Sequence, residues 1–108
     1  MDWIGKIQQS MFAQENAMKE MADIFSALSS DCRIEIIYLL MRVESLPSGE
    51  IGRLTNCTAS QISQYLAKMY SAWIVNKKRT WREIEYSLNT SNPIIQNLTV
   101  LFSQHLKD

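Results

Sequence analysis

Residues 50–82, EIGRLTNCTASQISQYLAKMYSAWIVNKKRTWR, read as a helix of little more than one turn over Glu50 to Leu54, a turn over Thr55 to Thr58, a second helix reaching Tyr70, and the start of a β-hairpin. Thr58 caps the second helix, because its short oxygen side chain accepts a hydrogen bond from a free N–H of the first turn. Asn56 supplies the residue that a tight interhelical turn often holds at positive φ. Within the helix Ile62, Leu66 and Met69 recur at spacings of four and three, which makes a buried stripe. Ser60, Gln61, Ser63, Gln64 and Lys68 lie largely outside that stripe. Solvated helix faces more often carry Glu and Lys pairs, so a face of uncharged Ser and Gln suits hydrogen bonding to base edges in a DNA major groove.

Charge singles out the same stretch. From Gly52 to Arg82 there is no Asp or Glu, while Arg53, Lys68, Lys77, Lys78, Arg79 and Arg82 give the segment a formal charge of +6. The chain as a whole has 11 cations and 11 acids, so the residues outside the segment carry −6. A neutral total conceals a polarised molecule whose positive part coincides with the helix-turn-helix candidate.

Downstream, Trp73 to Lys78 and Glu83 to Leu88 are two β-prone runs. In the second, Ile84, Tyr86 and Leu88 alternate with Glu83, Glu85 and Ser87, the period of a half-buried strand. The hairpin tip, Arg79-Thr80-Trp81-Arg82, is cationic. It reads as a wing touching phosphates, against the plainer alternative of an edge hairpin whose lysines discourage strand pairing. Asn92-Pro93 then opens a last helix, with Asn at the cap and Pro in the first turn. Its apolar residues, Ile94, Ile95, Leu98, Leu101, Phe102 and Leu106, form a wide stripe that needs a cover.

Upstream, Ser29-Ser30-Asp31 offers capping oxygens for a helix starting near Asp31. Ile34, Ile37, Tyr38, Leu40 and Met41 cover a broad face of it, so it is expected to be the most buried helix. Leu46-Pro47-Ser48-Gly49 reads as a turn with Ser48 as the cap of the short helix. From the start of the chain, Ile4, Ile7, Met11, Met18, Met21, Phe25 and Leu28 follow a heptad with only Gln14 out of pattern. Gln14-Glu15-Asn16 marks a break into two helices. This stripe is long for so small a protein, and Trp3 and Phe12 make its first half too apolar for water, which favours a dimer helix over a cover for the chain's own core.

With 108 residues, 46% of them hydrophobic, 3 Gly and 2 Pro, the chain is expected to be one mainly α domain, 1–108, with a small β-hairpin. It divides into an N-terminal dimerisation region (1–28), the helix-turn-helix (50–70), the wing (73–88) and a C-terminal dimerisation helix (92–106). The first and last helices would join two copies about a two-fold axis, with Ile4, Ile7, Met11, Met18, Ile94, Leu98, Leu101 and Phe102 at the interface. Met1-Asp2-Trp3 lacks the cationic start of an export signal, and no apolar run reaches the ~18 residues of a membrane span, so a cytoplasmic protein without a membrane partner is expected.

Chemistry is sparse. His105 and Asp108 do not make a transition-metal site, which wants three or four donors. No Ser/His/Asp set, paired carboxylates or glycine-rich phosphate loop is present, so neither enzyme activity nor a cofactor is expected. Two cysteines far apart in a reducing compartment are expected to be free thiols. Cys32, at the start of a helix whose dipole lowers its pKa, is the candidate for a redox switch.

With its order of elements the chain resembles the ArsR/SmtB family of bacterial winged helix-turn-helix repressors. The resemblance covers about Phe25 to Leu88. It rests on IFSALSSDCRIEIIYLL (24–40), on TASQISQYLAKMYSAWIV (58–75) as the recognition helix, and on KKRTWREIEYSL (77–88) as the wing. It implies a homodimeric repressor that binds inverted-repeat operator DNA and releases it to an effector. Thr58, Ser60, Gln61, Ser63, Gln64, Tyr65 and Lys68 would contact DNA from the helix, and Lys77, Lys78, Arg79 and Arg82 from the wing. Tyr65 stands where many members have His, and Cys57 where they have an apolar residue beneath the turn. Trp73 and Trp81 depart from positions where Gly is common. The metal-ligand sets of the family's sensors are missing. Two alternatives remain beside the plain repressor: a protein-interaction module antagonising another regulator, and a thiol-controlled repressor using Cys32.

Overall fold

The structure, a computed structural model, describes residues 2–106. Helices α1 (Asp2–Ala13), α2 (Glu15–Ala27) and α3 (Asp31–Arg42) come first, followed by β1 (Leu46–Pro47), α4 (Ser48–Leu54) and α5 (Ala59–Ser71). Strands β2 (Val75–Arg79) and β3 (Ile84–Leu88) and helix α6 (Pro93–His105) complete the order. The heptad does break at Gln14, between α1 and α2. Among the described residues no helix is long and apolar enough to cross a membrane.

The core sits where α2, α3, α4, α5 and α6 meet the sheet. Ile24, Ile36, Ile51, Met69 and Ile74 are completely buried, with Ile37, Leu66, Val75 and Ile95 nearly so. Burying each such side chain is worth roughly 1.5–3 kcal/mol. Helix α3 begins as its sequence suggests, with Ser30 Oγ accepting from the Arg33 N–H at 3.2 Å. Its buried face, however, is Ile36, Ile37 and Leu40, with Ile34, Tyr38 and Met41 only half-buried. In α6 the Asn92 side chain accepts from the Ile94 N–H at 3.0 Å and Pro93 follows in the first turn. Phe102, expected on the dimer face, turns inward into the core beside Ile95, while Val100 and Leu101 stay exposed.

The sheet has three strands, in the order β1-β3-β2, all antiparallel. Leu46-Pro47, read as a turn, is in fact its outer strand, pairing Leu46 with Tyr86 and Pro47 with Glu85. Proline is tolerated at such an edge because its missing N–H costs no ladder bond on the open side. Pro47 takes the N-cap position of α4 without a side-chain capping bond, and Ser48 is a helical residue and not the cap. In the hairpin Val75 faces Leu88, Lys77 faces Tyr86 and Arg79 faces Ile84.

One backbone position is unusual. Among the described residues Trp73 is the non-glycine residue with positive φ, at 62°, and Asn56 is not left-handed as the turn had suggested. Trp73 closes α5: its N–H donates to the Tyr70 carbonyl at 3.1 Å, and the Ile74 N–H reaches the Met69 carbonyl at 2.9 Å. That pair of bonds is the helix-ending motif in which glycine normally stands. The Trp73 carbonyl is held by the side-chain amides of Asn89 (2.9 Å) and Asn92 (3.3 Å), which fix the strained residue in place. A β-carbon at this φ costs on the order of 1 kcal/mol. Trp73→Gly is therefore expected to raise unfolding stability by roughly 0.5–1 kcal/mol despite glycine's looser unfolded chain, measured as a higher urea midpoint with unchanged slope.

Candidate nucleic-acid interface

Helix α5 is presented by the turn before it, and that turn is anchored at several points. Thr55 Oγ1 donates to the Ile51 carbonyl at 2.8 Å. The Asn56 N–H donates to Glu35 Oε1 of α3 at 2.9 Å. Next to it Cys57 is disulfide-bonded to Cys32, with the two Cα atoms 5.7 Å apart. The expectation of two free thiols is thus overturned. Folding α3 against the helix-turn-helix brings together cysteines 25 residues apart in sequence, and Cys57 is half of a crosslink where a small hydrophobe had been expected.

Thr58 then starts α5 with a capping box. Its Oγ1 accepts from the Gln61 N–H at 3.1 Å, while Gln61 Oε1 accepts from the Thr58 N–H at 2.9 Å. Two orphan donors of the helix end are satisfied reciprocally. Gln61 Oε1 is therefore occupied inside the chain, and the Thr-x-x-Gln spacing carries that signal in the sequence. Ile62, Leu66 and Met69 are buried as their spacing predicts, and Ser60, Ser63 and Gln64 point outward, exposed. Tyr65 is half-buried, with the Arg33 guanidinium 4.2 Å from its ring centroid. That contact, which the sequence reading missed, ties α5 itself to α3, beyond the two links that the turn makes.

The cations do not all lie in one place. Arg53 forms an ion pair with Glu50 at 2.7 Å, just outside the acid-free segment. Its hydrogen bond and charge hold the Glu50 carboxyl below the ordinary carboxylate range, so this acid offsets one of the six cations. Lys68 Nζ donates to Ser26 Oγ on α2 at 3.2 Å, far from the N-terminal turn of α5. The Lys77 ammonium sits 4.3 Å from the Tyr70 ring centroid. Lys78, Arg79 and Arg82 are exposed along the wing. At the tip Thr80 closes the loop, its N–H and Oγ1 both donating to the Glu83 carbonyl at 2.8 and 2.9 Å.

The result is a polar, mostly uncharged helix face beside a cationic hairpin. Such an arrangement can place amide and hydroxyl groups on base edges while the wing neutralises phosphates. Among the described residues no group of three His, Cys, Asp or Glu side chains could hold a metal ion. His105 is exposed at the end of α6, and Asp108 lies outside the described residues.

Comparison with known proteins agrees with this geometry. The profile described as bacterial regulatory protein, arsR family, matches residues 30–77. The HTH-type transcriptional regulator YgaV of Escherichia coli is 30% identical over 82 residues, covering 74% of this chain and 83% of YgaV. The transcriptional repressor BigR from Xylella fastidiosa superposes with a TM-score of 0.69 at 21% identity, covering 94% of this chain and 98% of that one. A homodimeric winged helix-turn-helix DNA-binding domain from Mycobacterium bovis gives a TM-score of 0.70 at 19% identity, with 87% and 88% covered.

Proposed function

Because the chain belongs to the ArsR family of bacterial regulatory proteins, a group of winged-helix, DNA-binding transcription regulators, we propose that it is a homodimeric repressor reading an inverted-repeat operator. The N-terminal half of α5 enters the major groove, where Ser60, Ser63 and Gln64 meet base edges. Thr58, Gln61 and Tyr65 support that face, and Lys78, Arg79 and Arg82 follow the phosphates. The observation that carries this reading is the outward, uncharged face of α5 next to the exposed wing cations. A protein described as a repressor, BigR, and one described as homodimeric share the fold.

An uncovered apolar arm supports the dimer. Helix α1 is 12 residues long and has no buried residue. Trp3, Ile4, Ile7, Met11 and Phe12 are all 45% exposed or more, and Met18, Met21 and Phe25 continue the stripe along α2. The Cα radius of gyration is 16.4 Å, against about 13 Å for a compact chain of this length. A bare apolar arm of this size is stable when a second copy covers it, together with exposed Val100 and Leu101 of α6.

Two substitutions test the division of labour. Gln64→Ala is expected to lose roughly 1–3 kcal/mol of discrimination between operator and random duplex. Lys78→Ala is expected to weaken binding to both equally and to lower the slope of log K against log salt by about 0.9 per site contacted. A salt titration on the two DNAs reads both effects. Equal losses on both from Gln64→Ala would contradict base readout.

The Cys32–Cys57 crosslink favours a second reading, control by thiol oxidation. Two thiols lose two electrons and two protons to a peroxide, which leaves as water, and the S–S bond then ties the first turn of α3 to the residue before the α5 cap. This reading expects operator affinity to differ by about 5- to 150-fold between reduced and oxidised protein. Cys57→Ser would abolish the difference, whereas equal affinities in the wild type would remove the reading.

A further inference from the structure

The wing carries a side chain that a phosphate-binding hairpin does not need. Trp81 sits at the apex, 85% exposed, the highest value among the exposed large hydrophobics of the described chain. It contributes nothing to the core, and a plain solvated hairpin gains nothing from an indole in water. Nor is the tip loose. The β2–β3 ladder runs as far as Arg79 and Ile84, and Thr80 ties the loop shut through its two bonds to the Glu83 carbonyl and a third from the Glu83 N–H to Thr80 Oγ1 at 3.2 Å. On this closed apex the Arg82 guanidinium lies 4.2 Å from the Trp81 ring centroid.

We propose that Trp81 and Arg82 form a minor-groove reading tip, the indole bracing the guanidinium so that it enters a narrow A·T-rich groove beside each half-site. This rests on the DNA-binding reading of α5 and adds a specificity-determining pair to it. Lys77, Lys78, Arg79 and Arg82 lie in the same six-residue stretch as the indole, so a polyanion suits this hairpin better than an apolar protein groove does. The hairpin follows α5 after only the three residues 72–74, and the proposal sets its tip in the minor groove beside the major groove that α5 enters. Narrow A·T grooves concentrate negative potential and attract arginine, whereas the guanine amino group changes the groove floor. Proteins that read the minor groove with arginine frequently set an apolar side chain into the same groove. The contact with the indole restricts the Arg82 side chain, so less freedom is lost on binding.

The test uses the full-length protein and a duplex selected by it from a random pool, made with A·T, G·C or inosine·C pairs in the flanks. Inosine·C presents the minor groove of A·T with a major groove like that of G·C. The wild type is expected to bind the A·T and inosine·C duplexes on the order of tenfold more tightly than the G·C duplex. Trp81→Ala is expected to bind all three alike, near the wild-type affinity for G·C, which also shows that it is folded; Trp81→Phe keeps most of the preference. If Trp81→Ala retains the wild-type preference, or inosine·C behaves as G·C does, the reading tip is wrong while the α5 assignment stands. If the wild type selects no duplex at all, both fall.

Discussion

A variant carrying Ile7→Asp and Met11→Asp is expected to elute as a monomer and to bind operator at least on the order of 100-fold more weakly, close to its affinity for random DNA. Both side chains are about half exposed, on a helix with no buried residue, so the substitutions remove nothing from the chain's own core. They place carboxylates in the apolar seam, where a buried unpaired charge costs several kcal/mol. A single winged domain keeps only half of the contacts that an inverted repeat offers. Specific binding exceeds non-specific binding by about 10³ or more, and most of that margin needs both half-sites engaged. Sedimentation and gel-shift titration on the same preparation measure the two effects together. A dimeric variant with unchanged affinity would show that α1 is covered by something else.

Reducing the Cys32–Cys57 bond is expected to lower unfolding stability by about 3.5 kcal/mol, from the chain entropy restored to an unfolded loop of 25 residues. For a protein of this size that corresponds to a fall of roughly 15–25 °C in midpoint. The double substitution Cys32→Ala and Cys57→Ala should reproduce the loss without reductant, and it should make stability insensitive to reductant. Thermal unfolding followed by circular dichroism, with and without a phosphine, measures this. A midpoint that does not move in the wild type would mean that the crosslink does not form in solution.

Local signals in the sequence proved legible wherever a few neighbouring residues decide the outcome. Thr58 caps α5, Asn92-Pro93 opens α6, and Ile62, Leu66 and Met69 are buried on one face. Each is set by chemistry within one or two helical turns. The two-residue strand at Leu46-Pro47 was not legible, because it exists only through its pairing with β3, some 40 residues away. The inward turn of Phe102 and the bond between Cys57 and Cys32 depend in the same way on where whole helices come to rest. At the candidate interface the sequence pointed to Ser60, Ser63 and Gln64, and these are outward and exposed. It could not show that Lys68 turns to Ser26, or that Arg53 is paired with Glu50. Periodicity gives a residue's face but not its partner.

Trp73 shows how a departure from the usual residue can keep the usual geometry. Its φ of 62° is the conformation that glycine would adopt there, held by two asparagine amides on its carbonyl. Strain of this kind persists where the surroundings over-determine it. Trp81 differs: it stands exposed at the wing tip, with the Arg82 guanidinium 4.2 Å from its ring centroid.

The most direct test of DNA reading by paired α5 helices is selection of duplexes from a random pool by the full-length protein. Enrichment of an inverted repeat, its half-sites about 10–10.5 base pairs or a multiple apart, and loss of that enrichment with Gln64→Ala, is the predicted result. Recovery of unenriched DNA at micromolar dimer would contradict it and would leave a winged-helix protein that acts on another regulator through its exposed N-terminal stripe.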